Sequence, residues 1–330
     1  MIGGMVRRFR DGRAYKRLLD EVTTLLETGD HAGAEARCSE ALTIAERLYG
    51  REHPELCTPL YALAAAQLAA GRIELALAGC QRAVAIAEKA PSATDPPLPR
   101  LLEQLAAIFE RRGEPEEAEG VFRRMLAGYA KMRAPDAAEV GAIANRLALS
   151  LARRGERAEA APLFEQAISQ REEAFGKDHV QVAEVLHNFA TYRPETCTLG
   201  EAEAMFRRAL AIVDAAGEAG KELRAPILHN LAVAVEEQAR RDEAAALFAE
   251  ALSAREAELG ATHRDLRPTI VRLARLHDDA GRAEDALALY DRALAIAEGD
   301  LGTDHRITEA IRAWREDAAH RAAEAKRARS

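Results

Sequence analysis

Residues 145–167 have the sequence NRLALSLARRGERAEAAPLFEQA, and this stretch decides the fold. Apolar residues recur at helical spacing on both sides of Gly155, which predicts a helix, a tight break and a second helix. Ala160 belongs to a column of alanines that are spaced 42 residues apart. The column consists of Ala34, Ala76, Ala118, Ala160, Ala202, Ala244 and Ala286. A fixed spacing without insertions indicates an array of one repeated unit.

A second column, four residues further on, holds larger side chains. It consists of Cys38, Cys80, Phe122, Phe164, Phe206, Phe248 and Tyr290. Alanine lets two helix backbones approach each other, and the larger side chain fills the space behind them. No unit could bury its apolar face alone, so the units must stack. The sequence therefore predicts an all-α solenoid with seven repeats of 42 residues over 13–303, a basic N-terminal segment over 1–12, and a C-terminal capping helix with a basic tail over 304–330.

Glycine marks the break between the two helices of most repeats. It occurs at Gly29, Gly71, Gly113, Gly155 and Gly281. Glycine suits a helix C-terminus because it adopts left-handed backbone angles at low cost. Cys197 and Ala239 replace it in the fifth and sixth repeats, and Pro194 predicts that the first helix of the fifth repeat stops early or bends.

Composition sets limits on the function. Of the 330 residues, 48% are hydrophobic and 30% are charged, which suffices for a packed core. The net charge of -8 argues against an extended nucleic-acid interface, which needs a clustered excess of Lys and Arg. The four cysteines have no CxxC spacing and are expected to be thiols in a reducing compartment. With no long apolar run in the sequence, we expect a cytoplasmic protein.

The repeated elements resemble the tetratricopeptide repeat: a Leu-Ala pair in the first helix, the glycine break, then E-A and F-x-x-A-L in the second. Units of 42 residues are similar to those of kinesin light chains. Four linkers, LYGREHP, AFGKDHV, ELGATHR and DLGTDHR, carry that subfamily's pattern and contain His53, His179, His263 and His305. The resemblance implies a right-handed superhelix whose first helices line a concave groove that binds peptides or helical segments of other proteins.

Candidate groove residues lie at fixed positions around the recurring alanine of each first helix. They are Gln104, Asn145, Arg146, His187, Asn188, His229, Asn230, Arg272 and Arg275. Polar side chains are unexpected on a buried stripe, and asparagine can both donate to and accept from a peptide backbone. The alternative is that they form only the solvated side of amphipathic helices.

No motif in the sequence indicates an enzyme. The string HRDL at 263–266 is similar to a kinase catalytic loop, but it lies in a repeat linker without an accompanying glycine-rich loop. Histidines one repeat apart are too distant to share a metal ion, so we expect neither a metal nor a cofactor. The predicted function is that of a non-catalytic adaptor or scaffold for a protein or peptide partner.

The N-terminal segment supports a different hypothesis. Arg7, Arg8, Phe9 and Arg10 form a candidate lipid contact, because basic and apolar side chains on one helix suit an anionic membrane surface. The alternative function is a structural protein that decorates a tubulin-like filament, or links such a filament to the membrane surface. The segment could instead be a disordered tail or pack on the first repeat. A third hypothesis is a regulatory sensor whose partner enzyme is a separate chain.

Overall fold

A computed structural model describes the backbone of residues 2–90, 93–195 and 197–329, with side chains from residue 10 onward except those of residues 325, 328 and 329. All regular elements in these ranges are helices. The chain divides into two compact units, residues 1–136 and 137–330. None of the described helices is long and apolar enough to cross a membrane.

The first unit contains six α-helices, each of which contacts the next. They are α1 (Ile2–Glu27), α2 (His31–Tyr49), α3 (Cys57–Ala69), α4 (Ile73–Lys89), α5 (Leu98–Arg112) and α6 (Pro115–Tyr129). Helix α1 runs without a break through residues 2–12 and continues into the first repeat. The Tyr15 side chain anchors α1, because it is buried and its hydroxyl donates to the Glu55 carbonyl oxygen at 3.0 Å.

The second unit continues the pattern with helices that again contact their successors. They are α7 (Ala137–Arg153), α8 (Arg157–Phe175), α9 (Val180–Thr191), α10 (Leu199–Ala216), α11 (Lys221–Glu237), α12 (Arg241–Leu259), α13 (Arg267–Asp279), α14 (Ala283–Leu301) and α15 (Arg306–Arg329). Helix α9 ends at Thr191, before Pro194, as the sequence predicts. Helix α15 is the expected C-terminal helix, and it packs on α14 through Ile311 and Ala318.

The two sequence columns form the core of both units. All seven alanines of the first column and all seven larger residues of the second are buried. Ala160 and Phe164, for example, are each only 1% exposed. Both columns are therefore core positions, as the sequence predicts.

The glycine breaks adopt the expected backbone. Gly155, at φ 93°, and the corresponding glycines of the other repeats have positive φ. Ala239 takes this position in the sixth repeat with φ 62°, and it is the one non-glycine residue with positive φ in the described part of the chain. Alanine pays a steric penalty in this region that glycine avoids.

The four linker histidines shape the turns between repeats. In each, Nδ1 accepts a hydrogen bond from the backbone N–H two residues later. The donors are Glu55 to His53 at 3.2 Å, Gln181 to His179 at 3.3 Å, Asp265 to His263 at 3.2 Å, and Ile307 to His305 at 3.2 Å. The side chain thus satisfies one of the backbone N–H groups that a helix beginning leaves without an intrahelical partner. This geometry assigns the linker histidines a structural role.

Candidate interaction surface

Side chains of successive first helices in the second unit are joined by hydrogen bonds. We call this set the polar ladder; it consists of Asn145, His187, Asn188, Thr191, His229, Asn230 and Thr269, on α7, α9, α11 and α13. Five of the seven are predicted groove residues. The ladder brings them together on one face of the helices, and it also uses part of their hydrogen-bonding capacity.

The first rung joins α7 to α9. The Asn188 amide nitrogen donates to Asn145 Oδ1 at 3.4 Å. Asn145 is only 6% exposed, so it holds the Asn188 amide in place and offers little surface to a ligand. Asn188 is half-buried, and its own Oδ1 has no partner among the described residues. Asn188 therefore keeps an acceptor that a bound segment could use.

The second rung joins α9 to α11. Asn230 Nδ2 lies 2.9 Å from His187 Nε2 and donates to Thr191 Oγ1 at 3.1 Å. Since the amide can only donate from this nitrogen, His187 accepts through an unprotonated Nε2. Both Nδ2 hydrogens of Asn230 are then engaged, whereas its Oδ1 has no partner within the described residues. The rung fixes the amide plane and leaves its oxygen available.

The third rung joins α11 to α13. His229 Nδ1 lies 2.9 Å from the Oγ1 of Thr269, a residue that is 1% exposed. Burial lowers the pKa of His229 to about 4, with a further lowering from the nearby Arg255 and Arg272. Burial alone lowers the pKa of His187 to about 4. Both ladder histidines are therefore neutral at physiological pH, because a charged ring would lose its solvation there.

The predicted arginines are not members of the polar ladder. Arg272 forms an ion pair with Glu236 at 2.7 Å. Arg275 is exposed and its guanidinium lies 6.0 Å from the centroid of the Trp314 ring. Arg146 on α7 is half-buried.

Gln104 belongs to the first unit, on α5. Its Nε2 donates to the Tyr61 carbonyl oxygen at 2.9 Å, and its Oε1 is buried without a hydrogen-bond partner. It links the first helices α3 and α5 through a backbone carbonyl, whereas Asn188 links α9 to α7 through the Asn145 side chain. Gln104 therefore belongs to a different unit from the other predicted groove residues.

The N-terminal candidates are partly outside the described side chains. The backbone of Arg7, Arg8 and Phe9 lies in α1, but their side chains are among those that the structure does not describe. Arg10 is described and exposed on the same helix.

Sequence reasoning missed Thr191 and Thr269, which complete the ladder, and the Trp314 ring beside Arg275. One periodic signal points to the first rungs: Asn188 bonds to a residue 43 positions earlier, and so do Asn230 and Gln104. This separation is one repeat plus one residue. Polar residues at this offset on neighbouring first helices predict such contacts.

Within the described ranges, no group of three His, Cys, Asp or Glu side chains lies close enough together to hold a metal ion.

Comparison with protein-family models defines the class of this protein. The model described as tetratricopeptide repeat matches residues 22–78, 55–131, 139–215 and 223–299. These matches span well over half of the sequence, and the chain belongs to the tetratricopeptide repeat family. A search of curated protein sequences gave no significant match.

Solved structures with the same fold include kinesin-light-chain-like proteins. BtubC (BKLC) from P. vanneervenii has a TM-score of 0.58 and 24% identity, over 69% of this chain and 91% of that one. A putative kinesin light chain with nearly identical TPR-like repeats from Podosopora anserina has a TM-score of 0.51 and 21% identity, over 61% and 96% of the two chains. The apo form of RapI has a TM-score of 0.58 and 12% identity, over 86% and 97%. At these identities the likeness establishes the fold.

Proposed function

We propose that this protein is a non-catalytic adaptor that binds an extended or helical segment of a partner protein across the first helices of its second unit. The observation that carries the proposal is the pair of asparagine oxygens, Asn188 Oδ1 and Asn230 Oδ1, which lack partners among the described residues while their amide nitrogens are anchored. Tetratricopeptide repeats typically bind proteins or peptides, which agrees with this use of the face.

The geometry suits a backbone ligand. Packed helices are about 10 Å apart, and α9 and α11 each carry one of the two oxygens. We therefore expect the oxygens to lie about 10 Å apart along the face. A polyproline II segment repeats its orientation every three residues, about 9 Å. Its N–H groups could therefore donate to both asparagines in turn, and neighbouring side chains of the ligand would provide specificity. Because the ladder holds the amides in place beforehand, little side-chain entropy is lost on binding.

The test is affinity capture from cell extract with the intact protein and with an Asn188→Ala, Asn230→Ala variant, read by mass spectrometry. We expect at least one protein to be captured by the former and lost by the latter. Gln166→Ala is the matched control, because Gln166 is also an amide, is exposed on the second helix α8 and lies outside the polar ladder. Identical capture by all three would overturn the proposal. Circular dichroism must show that each variant keeps its helices.

The cysteines support a reducing, cytoplasmic location. Cys38, Cys57 and Cys80 are buried free thiols, and burial raises the pKa of Cys57 to about 11 and that of the other two to about 12. Thiols this weakly acidic are poor nucleophiles, so they serve packing rather than chemistry.

The alternative function is a structural protein that decorates a tubulin-like filament or links it to a membrane. It is favoured by α1, because the basic segment is helical from Ile2 and Arg10 points to solvent. Sedimentation with anionic and neutral vesicles tests it. Binding to anionic vesicles only, lost when residues 1–12 are deleted, would support this function. If the full chain and the chain without residues 1–12 sediment equally with anionic vesicles, the lipid contact is excluded.

A further inference from the structure

A cleft of about 590 Å³ opens between α13 and α15 at the C-terminal end of the second unit. We call it the C-terminal cleft. Its apolar wall includes Val271, Ile307 and Trp314. Ile307 and Trp314 are large apolar side chains that line the same cleft, and they are 37% and 38% exposed. Exposed apolar surface of this kind often marks an interaction site.

Four arginines surround this wall, and none of the ten cleft residues is acidic. Two of the four are already paired, Arg267 with Asp300 at 3.0 Å and Arg272 with Glu236 at 2.7 Å. Arg275 and Arg306 have no carboxylate partner in the described part of the chain, and both are exposed. In a chain of net charge -8, this cleft is a local basic surface.

The Arg275 guanidinium is held near the cleft by Trp314, at 6.0 Å from the ring centroid. This contact leaves the guanidinium N–H groups free to bind an anion, and carboxylate is the partner that matches their planar arrangement. Arg306 occupies the first position of α15. Two free guanidinium groups beside an apolar wall therefore select a ligand with both carboxylates and an apolar side chain.

We infer that the C-terminal cleft binds an acidic segment of a partner protein, with one apolar side chain against Trp314 and flanking carboxylates on Arg275 and Arg306. This inference rests on the proposed adaptor function and names the chemistry of the segment that the adaptor takes. Charge complementarity favours an acidic segment. A basic segment would be repelled, and a neutral one would leave both guanidinium groups without a counterion.

Trp314 is the only tryptophan in the chain, so its fluorescence reports on this cleft alone. The probe is a short peptide, blocked at both ends, in which one leucine is flanked by glutamates. It contains no aromatic residue and leaves the emission to Trp314. We expect a saturable change in Trp314 emission, and a peptide with lysine in place of glutamate should produce none. Replacing the leucine by serine should weaken binding about tenfold.

Charge reversal tests the arginines. Arg306→Glu should weaken binding of the acidic peptide by about tenfold or more, since it replaces an attraction by a repulsion. Arg241→Glu is the matched control, because Arg241 is also the exposed first residue of a helix, α12, and lies outside the cleft. The control should bind like the unmodified protein. Equal binding by Arg306→Glu and the unmodified protein would overturn the inference.

Two further outcomes would also overturn it. The first is no change in Trp314 emission at millimolar peptide. The second is an emission that changes with protein concentration alone, accompanied by a dimer in light scattering, because the cleft would then be covered by a second copy. If the peptide fails while capture of a partner still depends on Asn188 and Asn230, the cleft inference falls and the adaptor function stands. If the peptide binds while the asparagine variant captures the same proteins, the reverse holds.

Discussion

Acidification should destabilise the second unit through His187 and His229. Burial lowers the pKa of each ring from its ordinary value of 6.5 to about 4 in the folded chain. In the unfolded chain both return to their ordinary value. Below that value the unfolded chain binds protons that the folded chain does not. The free energy of unfolding therefore decreases as the pH falls. The contribution of the neutral rings is therefore complete above about pH 6.5 and is lost progressively down to about pH 4.

The size of this destabilisation follows from the difference between the folded and unfolded pKa values. At about pH 5 the gap between the two pKa values corresponds to about 1–2 kcal/mol for each histidine and about 2–4 kcal/mol for the pair. The local contacts give the same sign, because protonation of His187 Nε2 would place its hydrogen against the Asn230 amide, 2.9 Å away. A protonated His229 would lie near the charges of Arg255 and Arg272.

The assay is urea unfolding followed by circular dichroism at about pH 7 and about pH 5, with the His187→Gln, His229→Gln variant beside the unmodified protein. The many carboxylates titrate in both proteins, so the difference between the two pH dependences isolates the two rings. We expect the variant to lose about 2–4 kcal/mol less than the unmodified protein over this range. His320→Gln, at an exposed position of α15, controls for removal of an imidazole. The same loss in both proteins would refute the reasoning.

Two stability predictions concern the repeat architecture. Ala239→Gly should stabilise the protein by about 0.5–1 kcal/mol, because glycine removes the penalty of positive φ but adds chain entropy to the unfolded state; a lower midpoint of thermal unfolding would contradict this. Ala160→Glu should destabilise the second unit by several kcal/mol, about 3 or more, because it puts a charge at a site that is 1% exposed between two helices; unchanged thermal unfolding would show that the alanine column does not mark close packing.

The sequence was sufficient to predict the core. Ala160 and Phe164 recur at fixed positions, because each repeat must present the same small and large side chains to the next one. Gly155 and the early end of α9 before Pro194 were likewise predictable, since they depend only on local backbone chemistry. Repetition makes these features visible without knowledge of tertiary contacts.

The interactions on the candidate face were less predictable. Asn188 and Asn230 could be recognised as unusual polar residues, but their partners lie one repeat and one residue away. The offset depends on how neighbouring helices are rotated, which a single sequence does not display. The C-terminal cleft was missed for a related reason. Trp314 lies in the helix that the sequence marked only as a cap, and its proximity to Arg275 arises because α13 and α15 line the same cleft.

The most direct test of the adaptor function is hydrogen–deuterium exchange of the protein alone and in complex with a partner identified by affinity capture. We predict that binding slows exchange in α9 and α11, the helices that carry Asn188 and Asn230, and leaves the second helices α8, α10 and α12 unchanged. Protection confined to α8, α10 and α12 would place the partner on the opposite helices and would contradict the proposed function.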